Sequence, residues 1–174
     1  PSFWNACLAL GRALEKQGKF KEAEEAYDRG VQLGSSHTTA WSARGRFRVA
    51  RGRGDEGLPD LDRALAIDPR NAEALAHRGL YHMDRAEREK AEADFRAAME
   101  VEPEEPTTLQ NYGLLLADGG HPEEGLKFLN LSVARNPDEP LYYVNRARAY
   151  VLAGKADLAE RDYEKSISLD PKCG

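Results

Sequence analysis

Residues 38–71 have the sequence TTAWSARGRFRVARGRGDEGLPDLDRALAIDPRN, and this stretch contains the pattern that decides the fold. Gly45, Gly52 and Gly57 occupy its eighth, fifteenth and twentieth places, and Pro69 stands near its end. Glycine permits the backbone conformation of a tight turn, and small residues let two helices approach closely. The pattern therefore predicts a helix, a turn at Gly52, a second helix packed on the first, and a stop at the proline.

The same pattern recurs through the whole chain with a period of 34 residues. Counted from Trp4, it gives five ungapped repeats, at residues 4–37, 38–71, 72–105, 106–139 and 140–173. The small residues are Gly11, Gly45, Gly79, Gly113 and Ala147 at the eighth place, Gly18, Gly52, Ala86, Gly120 and Gly154 at the fifteenth, and Ala23, Gly57, Ala91, Gly125 and Ala159 at the twentieth. Large apolar residues stand at the twenty-fourth place: Tyr27, Leu61, Phe95, Leu129 and Tyr163. Because one such hairpin cannot bury its own apolar face, the repeats must stack to complete a core.

The composition of the 174-residue chain narrows the functions that it can have. A formal net charge of −5 argues against a general polyanion binder, so we expect nucleic acid not to be a partner. No apolar run approaches the roughly 18 residues that cross a bilayer, and we expect no membrane partner. Cys7 and Cys173 lie far apart with no metal-ligand spacing and are expected to be free thiols. Because the chain opens at Pro1, we expect a fragment of a longer protein; the sequence leaves the compartment undetermined and favours the cytoplasm.

The repeat resembles the tetratricopeptide repeat family, whose signature is an aromatic start, Leu-Gly, a tyrosine, and then Ala, Phe and Pro at fixed offsets. The resemblance covers residues 4–173. It implies an all-α fold, a right-handed α-solenoid of five antiparallel helix-turn-helix repeats that form a single array over residues 1–174. The chain departs from the signature at the seventh place, where three repeats have arginine instead of leucine, and at the eleventh place, where Arg48 and His82 replace tyrosine.

The seventh-place arginines have matching acidic residues. In an antiparallel hairpin folded about the fifteenth place, the seventh place lies level with the twenty-third. Those pairs are Leu10 with Ala26, Arg44 with Asp60, Arg78 with Asp94, Tyr112 with Phe128, and Arg146 with Asp162. Opposite charges meet in three repeats and apolar residues meet in two. The sequence therefore predicts three ion pairs, each between the two helices of one repeat.

In the family that this chain resembles, the first helices of successive repeats line a concave face that binds extended peptides or partner segments. The candidate peptide-binding residues on that face are Arg12, Arg46, His77, Leu80, Met83, Asn111, Leu114, Asn145 and Arg148. Asn111 and Asn145 share the sixth place of adjacent repeats, and a primary amide can pair with both polar groups of a peptide bond. The pair resembles the asparagine ladder of O-GlcNAc transferases and kinesin light chains, with two rungs. Solvated helix asparagines are the alternative interpretation.

The charges of this face predict a bipolar groove. Arg12, Arg46 and Lys16 form a basic start that favours an acidic or carboxylate-bearing segment, whereas Glu73 and Asp84 begin a more acidic middle. The clamp with which cochaperones hold the C-terminal EEVD of heat-shock proteins is not expected. That clamp consists of lysines, asparagines and an arginine spread over three repeats. In the first three repeats of this chain, the corresponding positions hold Leu8, Arg12, Ala43, Glu73 and His77.

The sequence shows no catalytic or metal-binding motif. It has no phosphate-binding loop, no nucleophile grouping and no metal-ligand cluster, so we expect no enzyme activity, no cofactor and no metal. The favoured function is a non-catalytic scaffold for protein–protein interaction. The alternative is a structural spacer or self-assembly element that acts through its ends or its convex face, because repeat arrays need polar caps and the end around Tyr163 and Ile167 is apolar. RNA binding through Arg46, Arg51 and Arg53 is a third hypothesis.

Overall fold

The computed structural model describes residues 2–170, and the expected helix stop at Pro171 and the expected free thiol of Cys173 lie outside them. The described residues form ten helices and no strand, which confirms the all-α class. The helices are α1 (Phe3–Lys16), α2 (Phe20–Leu33), α3 (Thr38–Ala50), α4 (Gly54–Ile67), α5 (Ala72–Asp84), α6 (Arg88–Val101), α7 (Pro106–Asp118), α8 (Pro122–Arg135), α9 (Pro140–Leu152) and α10 (Ala156–Leu169).

The chain divides into two compact bodies, which are described separately. The N-terminal body comprises residues 1–86 and the C-terminal body residues 87–174, so the division falls inside the third repeat. In the N-terminal body, α1 pairs with α2 and α3 with α4, and α5 packs on α3 and α4. In the C-terminal body, α7 pairs with α8 and α9 with α10, and α6 packs on α7. A single array over residues 1–174 stays a prediction.

Each hairpin turns at the fifteenth place, as the sequence predicts. Gly18, Gly52, Gly120 and Gly154 have φ values between 72° and 87°, in the left-handed region where glycine has no steric cost. Ala86 occupies the same place with a φ of 57°, and it is the one non-glycine residue between 2 and 170 with a positive φ. The repeat geometry therefore forces an alanine into a conformation that its Cβ disfavours.

The two helices of a hairpin touch at the eighth and twentieth places. A Cβ added to Gly57 would lie 2.8 Å from the carbonyl oxygen of Gly45, so the two backbones are in direct contact there. Gly113 and Gly125 make the same approach in the fourth repeat. In the first repeat, a Cβ on Gly11 would lie 2.8 Å from the ring of Tyr27. The close approach predicted for these small residues is confirmed.

Replacing Ala86 by glycine is expected to stabilise the protein. The left-handed conformation costs an L-residue roughly 1–2 kcal/mol, and the extra chain entropy of glycine returns roughly 0.5–1 kcal/mol of that. We expect a net gain of about 0.5–1 kcal/mol in the free energy of unfolding, measured by urea denaturation. The control is Ala93→Gly, in the exposed interior of α6, which should lose about as much. An Ala86→Gly variant that is destabilised like the control would contradict the strain at this turn.

Candidate functional site

Arg44 in α3 holds three helices of the N-terminal body together. Its Nε and Nη2 donate to the two carboxylate oxygens of Asp60 in α4, at 2.8 and 2.7 Å. Its Nη1 donates to Asp28 in α2 at 2.8 Å, and the guanidinium lies 5.3 Å from the ring centre of Trp41. The predicted pair with Asp60 is confirmed, and Asp28 is a second partner that belongs to the preceding repeat.

Arg146 makes the equivalent contacts in the C-terminal body. Its Nε and Nη2 donate to both oxygens of Asp162 at 2.7 Å, which confirms the predicted pair. Its Nη1 donates to the side-chain oxygen of Asn130 in α8 at 3.1 Å. The arginine side chain is largely buried, and the hydrogen bonds to Asp162 raise the pKa of Arg146 against the opposing effect of burial.

The contact with the preceding repeat is general and was not predicted from the sequence. At every described junction, the seventh-place side chain bonds the twenty-fifth place of the repeat before it, sixteen residues earlier in sequence. The pairs are Arg44 with Asp28, Arg78 with Asp62, Tyr112 with Arg96, and Arg146 with Asn130. The predicted partner of the same side chain lies sixteen residues later. A search for complementary residues sixteen positions before and after each seventh place would therefore have found both contacts. The pairing of Arg78 with Asp94 stays a prediction.

The other arginines of the segment ARGRFRVARGRG, residues 43–54, also have partners inside the N-terminal body. Arg48 donates to Asp60 at 2.9 Å. Arg53 donates to Glu24 at 2.6 Å and to Glu56 at 2.5 Å. The guanidinium of Arg51 lies 3.8 Å from the ring centre of Phe20. These partners leave little free positive charge for RNA.

Arg46 is held by neighbours rather than pointing freely from the first-helix face. Its Nη2 donates to Glu15 at 2.7 Å and to the hydroxyl of Tyr27 at 3.0 Å, and Tyr27 in turn donates to Glu15 at 2.8 Å. Burial raises the pKa of Glu15, but the hydrogen bonds from Arg46 and Tyr27 outweigh it and hold that pKa below its usual value. Arg46 and the more exposed Arg12 both approach Glu73, at 3.5 and 3.9 Å. The basic start and acidic middle of the predicted groove thus neutralise each other.

The other candidate residues of the N-terminal body lie on one helix. His77, Leu80 and Met83 are half-buried residues of α5, which packs against α3. Their spacing places Leu80 and Met83 one turn apart, so these two apolar side chains lie on the same side of α5.

The C-terminal body brings Asn111 and Asn145 onto adjacent helices, α7 and α9. Both are half-buried, and neither side chain has a hydrogen-bond partner among residues 2–170. Leu114, one turn along α7, is 9% exposed and contributes to the core. Arg148 is exposed and pairs with Asp118 at 2.8 Å. On this body, therefore, the charges are paired with each other and the two amides remain available.

A third amide lies close to this face and was not among the predicted residues. Gln110 in α7 is 2% exposed, and its side-chain oxygen accepts a hydrogen bond from Ser132 at 2.8 Å. Its amide nitrogen is buried and has no hydrogen-bond partner within residues 2–170. The other four repeats have small or apolar residues at this fifth place, which is why the repeat pattern did not single it out.

The described residues offer neither a membrane span nor a metal site. Between residues 2 and 170, no helix is both long and apolar enough to cross a membrane. The same part of the chain contains no group of three or more histidine, cysteine, aspartate or glutamate side chains that could hold a metal ion.

The fold and the paired surfaces define a helix-turn-helix repeat protein, and comparison with known proteins specifies the family. A model described as tetratricopeptide repeat matches residues 8–72 and 77–140, and a second model of that description matches residues 141–173. The chain therefore belongs to the tetratricopeptide repeat family. A search of curated proteins finds no match.

Solved structures share the fold at low sequence identity. TTC0263, a thermophilic tetratricopeptide repeat protein of Thermus thermophilus, superposes with a TM-score of 0.83 at 20% identity, over 97% of this chain and 92% of its own. PilW, a type IV pilus biogenesis factor, gives 0.84 at 21% identity over 97% and 78%. YrrB, whose structure is described as having an unusual peptide-binding site, gives 0.65 at 19% identity over 95% and 86%.

Double-mutant cycles on Arg44 are expected to separate its two contacts. The side chains of Arg44 and Asp60 are 15% and 5% exposed, and breaking a buried pair costs roughly 3–5 kcal/mol. Arg48 still reaches Asp60 when Arg44 is absent, so we expect the lower end of that range. Asp28 is 41% exposed, and its coupling to Arg44 should be about 0–1 kcal/mol. Equal coupling energies in urea denaturation, or none for Asp60, would contradict this assignment.

The pair of Glu15 and Arg46 is expected to make stability depend on acid pH. Because folding lowers the pKa of Glu15, its contribution is present above the unfolded value of 4.5 and is lost as the pH falls through the folded value. The free energy of unfolding should therefore fall less steeply between about pH 5 and pH 3 in Glu15→Gln than in the wild type. Arg46→Gln removes the cation that lowers this pKa and should show the same shallower slope. Two variants with the wild-type slope would contradict the assignment.

Proposed function

We propose that the protein is a non-catalytic scaffold that binds an extended peptide segment on the first-helix face of its C-terminal body. In this proposal, Asn111 and Asn145 pair with the main chain of the peptide. The observation that carries the proposal is that both amides are half-buried, lie on adjacent helices, and have no partner among residues 2–170. A primary amide offers one acceptor and two donors, so each can satisfy the C=O and N–H of an extended strand.

The N-terminal body has a candidate contact of its own for an acidic segment, which is proposed separately. A cavity of about 500 Å³ is lined by Arg12, Glu15, Lys16, Phe20 and Arg46. Arg46 is held by Glu15, whereas Arg12 and Lys16 are exposed. Because Arg12 approaches Glu73, the positive charge that this cavity offers to a ligand is mainly that of Lys16, and we infer that it favours an acidic side chain.

Two further observations support the proposal. Tetratricopeptide repeat proteins mediate protein–protein interactions, and YrrB, which shares the fold, is described as having a peptide-binding site. The heat-shock-protein clamp is not part of it, because Arg12 and Glu73 lie at two of its places and approach each other at 3.9 Å. A basic residue that faces an internal carboxylate is a weaker ligand for a C-terminal carboxylate.

The test is selection of random peptides of about 12 residues displayed on phage against the wild-type chain, followed by affinity measurement with synthetic peptides. Each amide that loses its peptide hydrogen bonds should cost about 1 kcal/mol, so Asn111→Ala with Asn145→Ala should weaken binding roughly 10- to 100-fold. Thermal stability should change little, because neither amide has a bond inside the described chain to lose.

The control is Gln32→Ala, which removes an exposed amide from α2, on the other helix of a repeat. It should bind like the wild type. N-methylation of single peptide bonds in a selected peptide should reproduce the loss at one or two positions, because the amides are proposed to contact the main chain. Selected peptides that bind the double variant as tightly as the wild type would contradict the proposal.

A further inference from the structure

The large apolar residues on the second helix of a repeat are buried by the following repeat, and those of the last repeat are exposed. Tyr27, Leu61, Phe95 and Leu129 occupy the twenty-fourth place, and all are 0% exposed. The twenty-eighth place of repeats 1, 2 and 4 is at most 9% exposed, with Val31, Leu65 and Val133. The equivalent residues of the fifth repeat are Tyr163, 40% exposed, and Ile167, 58% exposed. We call these two residues of α10 the C-terminal face.

The first repeat exposes the surface that covers such a face elsewhere. Tyr27 and Val31 form one core cluster with three residues at the third, sixth and tenth places of the next repeat, namely Ala40, Ala43 and Phe47. In the first repeat those places are held by three exposed alanines of α1, which we call the N-terminal face: Ala6, Ala9 and Ala13. An alanine at the tenth place is large enough to cover the preceding repeat. Ala149 occupies that place in the fifth repeat, is 0% exposed and packs with Leu129 of the fourth repeat.

At the first and last junctions, a basic residue at the sixteenth place pairs with an acidic residue of the preceding repeat, and the two faces have charges of the same kind. At the first junction, Arg53 at the sixteenth place donates to Glu24 at the twenty-first place of the preceding repeat. At the last junction, Lys155 at the sixteenth place donates to Glu123 at the eighteenth. Beside the N-terminal face the sixteenth place is Lys19. Beside the C-terminal face the eighteenth and twenty-first places are Asp157 and Glu160, both exposed.

We propose that the C-terminal face of one copy docks on the N-terminal face of a second copy. The contact resembles the junction between adjacent repeats, with Tyr163 and Ile167 buried as Tyr27 and Val31 are within the chain, and with Lys19 beside the acidic residues of α10. It lacks the seventh-place bond, because the two places that this bond joins hold Leu10 and Glu164. Because the two faces differ, the contact is heterologous, and assembly can extend beyond a dimer. It uses neither Asn111 nor Asn145, which lie on α7 and α9.

Sedimentation velocity of the 174-residue chain across concentrations tests this contact under reducing conditions. The wild type should associate with rising concentration. Ala9→Glu blocks the N-terminal face and Ile167→Lys the C-terminal face, so each variant alone should bind itself at least about tenfold more weakly. An equimolar mixture of the two should form a one-to-one dimer that grows no further, because each variant retains the face that the other lacks.

The control is Leu131→Lys, which places a charge on an apolar side chain of α8 that is 47% exposed and belongs to neither face. It should associate like the wild type, and circular dichroism should show all three variants equally helical. A wild-type chain that stays monomeric up to roughly 1 mM would overturn the proposal and assign the two faces to another occupant. Dimers of Ala9→Glu alone would also overturn it, because they require a symmetric contact between C-terminal faces.

Discussion

The seventh-place side chain of a repeat contacts three helices where it is Arg44, Tyr112 or Arg146, and the register between adjacent repeats depends on it. It lies on the first helix of its repeat and reaches the second helix of the same repeat and of the one before. Burying a guanidinium is costly unless it is fully paired, and the planar fork of arginine can meet a carboxylate with two bonds while a third donor reaches another helix. Arg44 and Arg146 both do this. Tyr112 reaches the same geometry with a ring against Phe128 and a hydroxyl that accepts from Arg96.

Features set by the local backbone were predictable from the sequence, and features set by the register between repeats were not. The turn at Gly52 and the helix contact at Gly45 follow from steric rules that a 34-residue pattern displays directly. Asp60 was predictable as the partner of Arg44 because reflection about the turn places them level. Asp28 was not predictable as a partner, because the symmetry of one hairpin does not determine its register against the neighbouring hairpin. Ala86 keeps its place in the turn because its neighbours impose the conformation.

The candidate site was predicted from positions on the first helices. Its long charged side chains, however, bind neighbouring residues of the protein instead of extending from that face. Arg46 occupies the expected place on the first-helix face, yet its guanidinium reaches Glu15 and Tyr27 and is held there. Arginine has a flexible stem, so the place of its Cα determines little about where its charge acts. Asparagine has a short side chain, so Asn111 stays where the helix puts it. Sequence position is therefore a better guide to the location of the amide groups than to that of the guanidinium groups.

The same difference in side-chain length bears on which residues stabilise the fold and which are proposed to bind a peptide. An arginine between stacked helices lies within reach of residues sixteen positions before and after it, and selection for stability pairs it internally. Asn145 at the sixth place has a short side chain with no hydrogen-bond partner among residues 2–170, and because it is half-buried, water can reach it. A peptide main chain can replace that water with hydrogen bonds of similar strength, so the gain on binding comes from the apolar contacts and buried area that accompany it. In the proposed function, contact with the peptide main chain is made by two short neutral residues, whereas the long side chains of Arg44 and Arg146 stabilise the fold.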